Sequence, residues 1–285
     1  MTDLIVDGNS LFARNWFAAS KVQPDPEGAL RLVLTSVLGI LEISSDRIGV
    51  PFDRTLFCWD GAHKKDKGRD PKPQEYHTTM DACREALTLL LDTAHAMPDK
   101  FEGDDAVATA VFRATGNVYI VSGDKDLTQL VGGNVRYYCL NNKSVLSHPH
   151  INAKWNIKQP NQITIALAVI GDSVDKIPGI RGWGPKKVKS LFERVTDKMT
   201  FDEALAAVEA QIPPDKLPSF YESLEAILLN PSVPGVPEPK PLVFAEPEVV
   251  EALELPGLVA AYERTVRSYN AHLNADAGYN ETDEP

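Results

Sequence analysis

Three short apolar runs each stop at an acid, and helical segments separate them. No other feature of the chain constrains the fold as much. Leu4-Ile5-Val6 ends at Asp7, and Thr55-Leu56-Phe57-Cys58-Trp59 ends at Asp60. Asn117-Val118-Tyr119-Ile120-Val121 runs into Ser122-Gly123-Asp124-Lys125-Asp126. Runs of this length, bounded by Gly, Asp and Ser, read as buried strands. Between them apolar positions recur at helical spacing: Ser10 is placed to cap a helix over 10–19, and helices are expected over 28–43, 75–94 and 103–115. A further strand is expected over 135–140. Strands alternating with helices form a parallel sheet, whose sites lie beyond the carboxyl ends of the strands.

From about residue 160 the pattern is helical. Helices are expected over 161–171, 185–195, 201–210 and 215–229, the second of them basic with Pro185 at its first position. Residues 231–241 hold five prolines in eleven positions, an extended strap. A last helix is expected over 255–274, and no internal repeat is found. These breaks divide the chain into an α/β core over 1–158, a helical module with its following helices over 159–230, and a Pro-rich strap, terminal helix and acidic tail over 231–285.

At 285 residues, 43% of them hydrophobic, the chain can bury a full core. No apolar run approaches the ~18 residues of a membrane span, and the start MTDLIVDGNS lacks the basic region of a signal peptide. Cys58, Cys83 and Cys139 form no CxxC pair, which excludes a disulfide framework and disfavours a thiolate zinc site. The expectation is a soluble protein of a reducing, cytoplasmic compartment. The net charge of −11 is unevenly placed: residues 199–285 carry 16 acids and four bases, residues 1–198 carry 24 and 25. The overall acidity therefore says little about what the first two thirds bind.

Nine carboxylates fall at loop or helix-start positions: Asp7, Asp60, Glu102, Asp104, Asp105, Asp124, Asp126, Asp172 and Asp175. In a parallel sheet the first seven converge on one edge. So many acids share a small volume in ionised form only if cations offset their repulsion. All-oxygen ligands select hard divalent ions, Mg²⁺ or Mn²⁺, and a pair of these cleaves phosphodiesters. Each acid taken singly also has an ordinary role, Asp7 or Asp60 as a helix cap and Glu102, Asp104 and Asp105 as first-turn acids. Without the nine, residues 1–198 carry a charge of +10, as a DNA-binding surface should. The bases cluster at Lys64, Lys65, Lys67, Arg69 and Lys72, and at Lys176, Arg181, Lys186, Lys187, Lys189 and Arg194. In the turn Gly179-Ile180-Arg181-Gly182-Trp183-Gly184-Pro185-Lys186-Lys187 the glycines let backbone N–H groups approach a phosphate, and the lysines add charge without reading bases. His148 and His150 lack acidic partners at ligand spacing and read as surface residues.

The stretches LIVDGNSLFAR, FEGDDAVAT, VSGDKDLTQL and GDSVDKIPGIRGWGPKK stand in the order found in the flap endonuclease or 5′-nuclease family. The chain resembles that family over roughly residues 3–195. The family includes phage 5′→3′ exonucleases and the 5′-nuclease domain of bacterial DNA polymerase I. The resemblance implies a PIN-like parallel sheet flanked by helices, with a helix–three-turn–helix DNA-binding module. It also implies two divalent metals and hydrolysis of DNA near a 5′ end, nick or flap, independent of sequence. By position Asp7, Asp60, Glu102 and Asp104 correspond to ligands of one metal and Asp124, Asp126, Asp172 and Asp175 to those of the other, with Asp105 near both. Arg14 corresponds to a phosphate-contacting Arg, and Lys64, Lys65, Lys67 and Arg69 lie where charge on the scissile phosphate is offset. Residues 179–184 are the candidate seat of a K⁺ ion. The family's arch is abbreviated here, with no aromatic residue between Asp60 and Tyr76. No polymerase region follows, so a stand-alone nuclease is expected, cytoplasmic and compatible with a phage-encoded enzyme acting in a bacterial cytoplasm. Three other readings compete: a haloacid-dehalogenase-like phosphatase, which needs a second Asp where Asn9 stands; a non-catalytic DNA-binding protein; and a PIN-type ribonuclease.

Overall fold

The computed structural model of the chain describes residues 1–43, 48–63, 71–173 and 176–279, with 275–279 described by backbone alone. The first part of the chain runs β1 (Thr2–Asp7), α1 (Gly8–Ala19), α2 (Pro26–Leu41), β2 (Arg54–Cys58), α3 (Gln74–Leu91), β3 (Ala94–Ala96), α4 (Gly103–Arg113), β4 (Asn117–Ser122), β5 (Val135–Cys139) and β6 (Ser144–Leu146). Helices α5 (His148–Trp155), α6 (Ile163–Ile170), α7 (Pro185–Leu191), α8 (Phe201–Glu209) and α9 (Leu217–Ile227) follow, then β7 (Lys240–Pro241), α10 (Pro247–Glu251) and α11 (Leu258–Tyr279).

Among the described residues the strands form one sheet in the order β3-β2-β1-β4-β5-β6. The first five of these in the chain are mutually parallel, and β6 is antiparallel to β5. From β1 the chain steps outward to β2 and β3, then returns to β4 on the other side of β1. The order therefore reverses between β1 and β4, where parallel sheets open a crevice for ligands.

Both faces are covered, so the strands are apolar throughout rather than alternating. Leu4 and Val6 join one cluster with Leu11 and Phe12 of α1, Leu34 of α2, Leu87 of α3 and Leu258 of α11. Ile5 points the other way, into a cluster with Val107 of α4, Leu167 of α6, Val188 of α7, Val208 of α8 and Phe220 of α9. The helical segment after residue 159 is thus packed on the same core as one face of the sheet.

Several boundaries differ from the expected ones. Helix α1 begins at Gly8 because Asp7, not Ser10, is its cap: Asp7 Oδ1 accepts the Ser10 N–H at 2.9 Å. Helix α3 stops at Leu91, where Asp92 turns left-handed at φ 43°, and the chain enters β3, a strand too short to show a pattern. The basic helix ends at Leu191 and tightens into a 3-10 turn over Phe192–Arg194.

The acidic third completes the fold. In the proline-rich strap Val233 and Val236 are buried, the Val233 N–H donates to Thr109 Oγ1 at 3.0 Å, and Arg113 donates to the Val236 carbonyl at 2.9 Å. Strand β7 then pairs antiparallel with the start of β2. Helix α11 closes the other face: Thr265 Oγ1 donates to the Leu38 carbonyl at 3.1 Å, and the Phe52 N–H donates to Tyr269 Oη at 2.7 Å. Among the described residues no helix is long and apolar enough to cross a membrane.

Candidate active site

The carboxyl edge of the sheet gathers the acids by topology. Asp7 ends β1, Asp60 lies just past β2, and Asp124 and Asp126 follow β4. Glu102 stands at the N-cap position of α4 after β3, with Asp104 and Asp105 in the first turn of that helix. A chain of hydrogen bonds ties the start of α1 to the loop after β4, across the point where the strand order reverses. Ser122 Oγ donates to Asp7 Oδ2 at 2.5 Å, the Gly123 N–H donates to Ser10 Oγ at 2.8 Å, and the Asp124 N–H donates to Ser122 Oγ at 2.9 Å. The Asp126 N–H donates to Asp124 Oδ1 at 2.9 Å. Asp7 is only 6% exposed. Burial pushes its carboxyl up to about 7 and the charges of Asp124 and Asp60 push the same way, against the hydrogen bonds from Ser122 and Ser10.

Asp60 is fixed by Asn9, which the sequence reading did not single out. Asn9 Nδ2 donates to Asp60 Oδ2 at 2.9 Å, while the Asp60 N–H donates to Asn9 Oδ1 at 2.9 Å. The Gly103 N–H donates to Asp60 Oδ1 at 2.9 Å, which joins the end of β2 to the start of α4. Asp104 Oδ1 accepts the Asp105 N–H at 2.8 Å. Asp105 Oδ1 accepts the Asn230 N–H at 2.8 Å, so this acid anchors the strap.

Asp172 is brought to the same edge by the turn after α6, where its backbone bridges to Ile177. The Lys125 ammonium hydrogen-bonds Asp172 Oδ2 and stands 3.6 Å from Asp126 Oδ1. Burial works against that charge, but the hydrogen bond to Asp172 and the charges of Asp126, Asp172 and Asp124 outweigh it and hold the ammonium above its ordinary pKa. Asp175 and the bases Lys64, Lys65, Lys67 and Arg69 lie outside the described residues.

The residues expected to meet DNA divide into two kinds. Arg14 is exposed at the mouth of the site, and its guanidinium donates to Asn141 Oδ1 at 3.1 Å. Asn141 Nδ2 in turn donates to the Gly123 carbonyl at 3.1 Å, which tethers Arg14 beside Asp124. In the Gly-rich turn, Arg181, Gly182 and Lys186 are exposed, and Lys187 lies over the Trp183 ring at 4.7 Å. Gly182 has φ 81° with open space around it, and Gly184 caps α7. Gly179 is different. It is buried against Gly171, an added Cβ would meet the Gly171 nitrogen at 2.4 Å, and its N–H donates to Ser223 Oγ at 2.9 Å. As placed, it is a packing residue that fixes the turn to α9, and its N–H is not offered to a phosphate. Its carbonyl accepts from Ser219 and that of Ile180 from Trp183, so an ion in this turn would draw on the remaining carbonyls. His150 is exposed, whereas His148 is partly buried, 3.1 Å from the Val131 carbonyl.

Among the described residues no three His, Cys, Asp or Glu side chains are grouped, as they stand, to hold a metal ion. The donor set still suits a hard divalent cation. It is all-oxygen, Asp60 and Asp124 lie within electrostatic reach of Asp7, and without a cation Asp7 tends to take up a proton near neutral pH.

The parallel sheet thus carries acids at its switch point, and the basic helix α7 packs on the core of one face; comparison with known proteins says what this arrangement is similar to. Residues 2–156 match the family model described as the 5′-3′ exonuclease, N-terminal resolvase-like domain. The chain belongs to this 5′-3′ exonuclease family. It is 27% identical over 247 residues to a 5′-3′ exonuclease of Mycoplasmopsis pulmonis (strain UAB CTIP), covering 81% of each chain. It is 36% identical over 144 residues to DNA polymerase I of Rhizobium leguminosarum, half of this chain but only 14% of that one. The fold is similar to that of the bacteriophage T5 D15 flap endonuclease, solved as a pseudo-enzyme–product complex with DNA and metal ions. The TM-score is 0.56 at 15% identity, over 95% of this chain and all of that one.

Proposed function

We propose that the chain is a divalent-metal-dependent 5′→3′ exonuclease and flap endonuclease that hydrolyses DNA phosphodiesters near 5′ ends, nicks or flaps. The observation that carries this reading is the buried Asp7. It sits at the switch point within electrostatic reach of Asp60 and Asp124, and burial, aided by those charges, leaves it leaning toward the protonated state against the hydrogen bonds from Ser122 and Ser10. An acid so placed is suited to a cation. The family membership and the metal- and DNA-bound state of the T5 flap endonuclease support the same reading.

Asp7, Asp60, Glu102 and Asp104 would hold one ion and Asp124, Asp126, Asp172 and Asp175 the other, Mg²⁺ or Mn²⁺, with Asp105 bracing the first helical turn against the strap. Such ions activate water and stabilise charge on the leaving oxygen. The protein's own share is positioning. The Asn9 and Ser122 bonds fix the carboxylates. Arg14 offers its remaining N–H donors to a phosphate at the mouth, and Lys64, Lys65, Lys67 and Arg69 offset charge on the scissile group. Gly182, Gly184, Arg181, Lys186 and Lys187 engage the duplex backbone without reading bases, and a K⁺ ion seated in the turn would extend that grip.

The test is incubation with Mg²⁺ and end-labelled blunt, nicked, 5′-flap and single-stranded DNA, with a chelator control. Cleavage should release short products from the 5′ side. Asp124→Asn should abolish cleavage while DNA binding in Ca²⁺ persists. Cleavage that survives the chelator, or the lack of any cleavage with Mg²⁺ or Mn²⁺, contradicts the proposal.

A further inference from the structure

Lys125 lies between two acids assigned above to one ion. Asp126 follows it in the 3-10 turn after β4, while Asp172 arrives from the turn after α6. Both carboxylates are largely withdrawn from solvent, with side chains 12% and 9% exposed, and the Lys125 side chain is 33% exposed. Its ammonium touches Asp172 and stands 3.6 Å from Asp126. The pair of like charges is therefore held together by a cation of the chain's own.

An ammonium and a divalent ion cannot both occupy the space between these two carboxylates. We infer that Lys125 is an internal counter-cation of the Asp126–Asp172 pair, and that the second divalent ion binds there only by displacing it. This rests on the two-ion reading of the site and adds a rule of filling. One ion binds readily, and the other competes with a tethered monovalent charge. Lysine suits this role because its ammonium is a point charge on a flexible four-carbon stem, free to swing toward the mouth when displaced. The tethered ammonium keeps the metal-free acids from repelling one another while raising the ion concentration at which the second subsite fills. Lys125 is thus a positioning residue for that subsite.

The test is Mn²⁺ binding to the full chain without DNA, followed by titration calorimetry and electron paramagnetic resonance. The unaltered protein should bind one ion tightly and a second at least about tenfold more weakly, the scale of one nearby charge. Lys125→Met, which keeps the stem and removes the charge, should tighten the weak event by about tenfold and leave the tight one nearly unchanged. Lys125→Arg should behave as the unaltered protein does. A Lys125→Met protein with unchanged or weaker second-ion binding overturns the inference, while a protein that binds no Mn²⁺ at all overturns it together with the metal-dependent reading. Amine acetylation of the unaltered protein, read by mass spectrometry, guards against a variant that fails to fold. Lys125 should be protected without divalent ions and reactive once Ca²⁺ saturates the weak event. Protection that persists at saturation overturns the inference.

Discussion

Ser122 Oγ donates a 2.5 Å hydrogen bond to Asp7 Oδ2, joining residues 115 positions apart across the point where the strand order reverses. The same oxygen accepts the Asp124 N–H. One hydroxyl thus aligns acids from two strands. Ser122→Ala removes both bonds from a buried, partly charged setting, and should cost about 2 kcal/mol of unfolding free energy. Urea unfolding in chelator measures it. An unchanged midpoint would mean that other groups hold the crevice together.

Ionised Asp7 is held in the folded chain only at a cost to stability. Its carboxyl titrates near 7 in the folded chain against an ordinary 3.8, so in the window between them the unfolded chain ionises while the folded chain keeps its proton. Stability contributed by the protonated form is complete below about 4 and is lost as pH rises through about 7. Asp7→Asn retains a capping side chain and does not titrate. In chelator at pH 8 it should be more stable than the unaltered protein, by no more than about 4 kcal/mol, with the difference shrinking toward pH 4. Cleavage should be lost. Chemical unfolding at pH 5 and pH 8 tests this, and a less stable variant at pH 8 would make Asp7 a structural acid.

His95 titrates in the opposite sense. Burial, aided by Arg84 and Lys240, lowers it from 6.5 to about 4, and its Nδ1 accepts the Trp59 indole N–H at 2.9 Å, which requires an unprotonated nitrogen. The stability this neutral ring contributes is complete above about 6.5 and is lost as pH falls toward 4. His95→Gln should flatten that acid limb by about 2 kcal/mol, a figure discounted for the ring's partial exposure. An acid limb unchanged in His95→Gln would assign it to other groups.

The sheet was legible because its strands are buried on both faces and end in acids, so Asp7, Asp60 and the 124–126 loop could be placed on one edge from the run lengths alone. Asp7 shows why single-residue roles resist such reading. It is a helix cap through Oδ1 and accepts the Ser122 hydroxyl across the switch point through Oδ2, so the capping role does not exclude the proposed site role. Asn9, Ser122 and Asn141 went unread because polar residues in turns carry no spacing signal; their partners lie 51, 115 and 127 positions away. The role of the acidic third could not be read from its charge, yet its apolar positions Val233, Val236, Leu258 and Tyr262 finish both cores. Strand β3 and helix α5 are too short, or too polar, for periodicity to show them.

The glycines of the module turn separate folding from binding. Gly179 has φ 60° and backbone atoms of Ile170 and Gly171 within 2.6 Å of an added Cβ. Gly179→Ala should therefore destabilise the protein by about 3 kcal/mol or more. Gly182 has φ 81° with nothing near it, so Gly182→Ala should cost only about 1 kcal/mol of backbone strain while weakening DNA binding. Melting curves read beside binding isotherms distinguish the two, and equal losses of stability would remove Gly182 from the phosphate-contacting set.

Lys186 is exposed beside the turn, and Lys187 is pinned over Trp183 at 4.7 Å. In the function proposed above, both contact the phosphate backbone and neither reads a base edge. Lysines that neutralise phosphates release counterions, so affinity falls with salt in proportion to their number. Lys186→Ala with Lys187→Ala should weaken binding to all duplex sequences alike and reduce the slope of log affinity against log salt by about 2, one unit for each lost contact. Trp183→Ala leaves the charge but frees Lys187, and should weaken binding while changing the slope by less than one unit. Fluorescence binding in Ca²⁺ at several salt concentrations measures all three. A loss confined to particular sequences would mean that these lysines contact bases rather than phosphates.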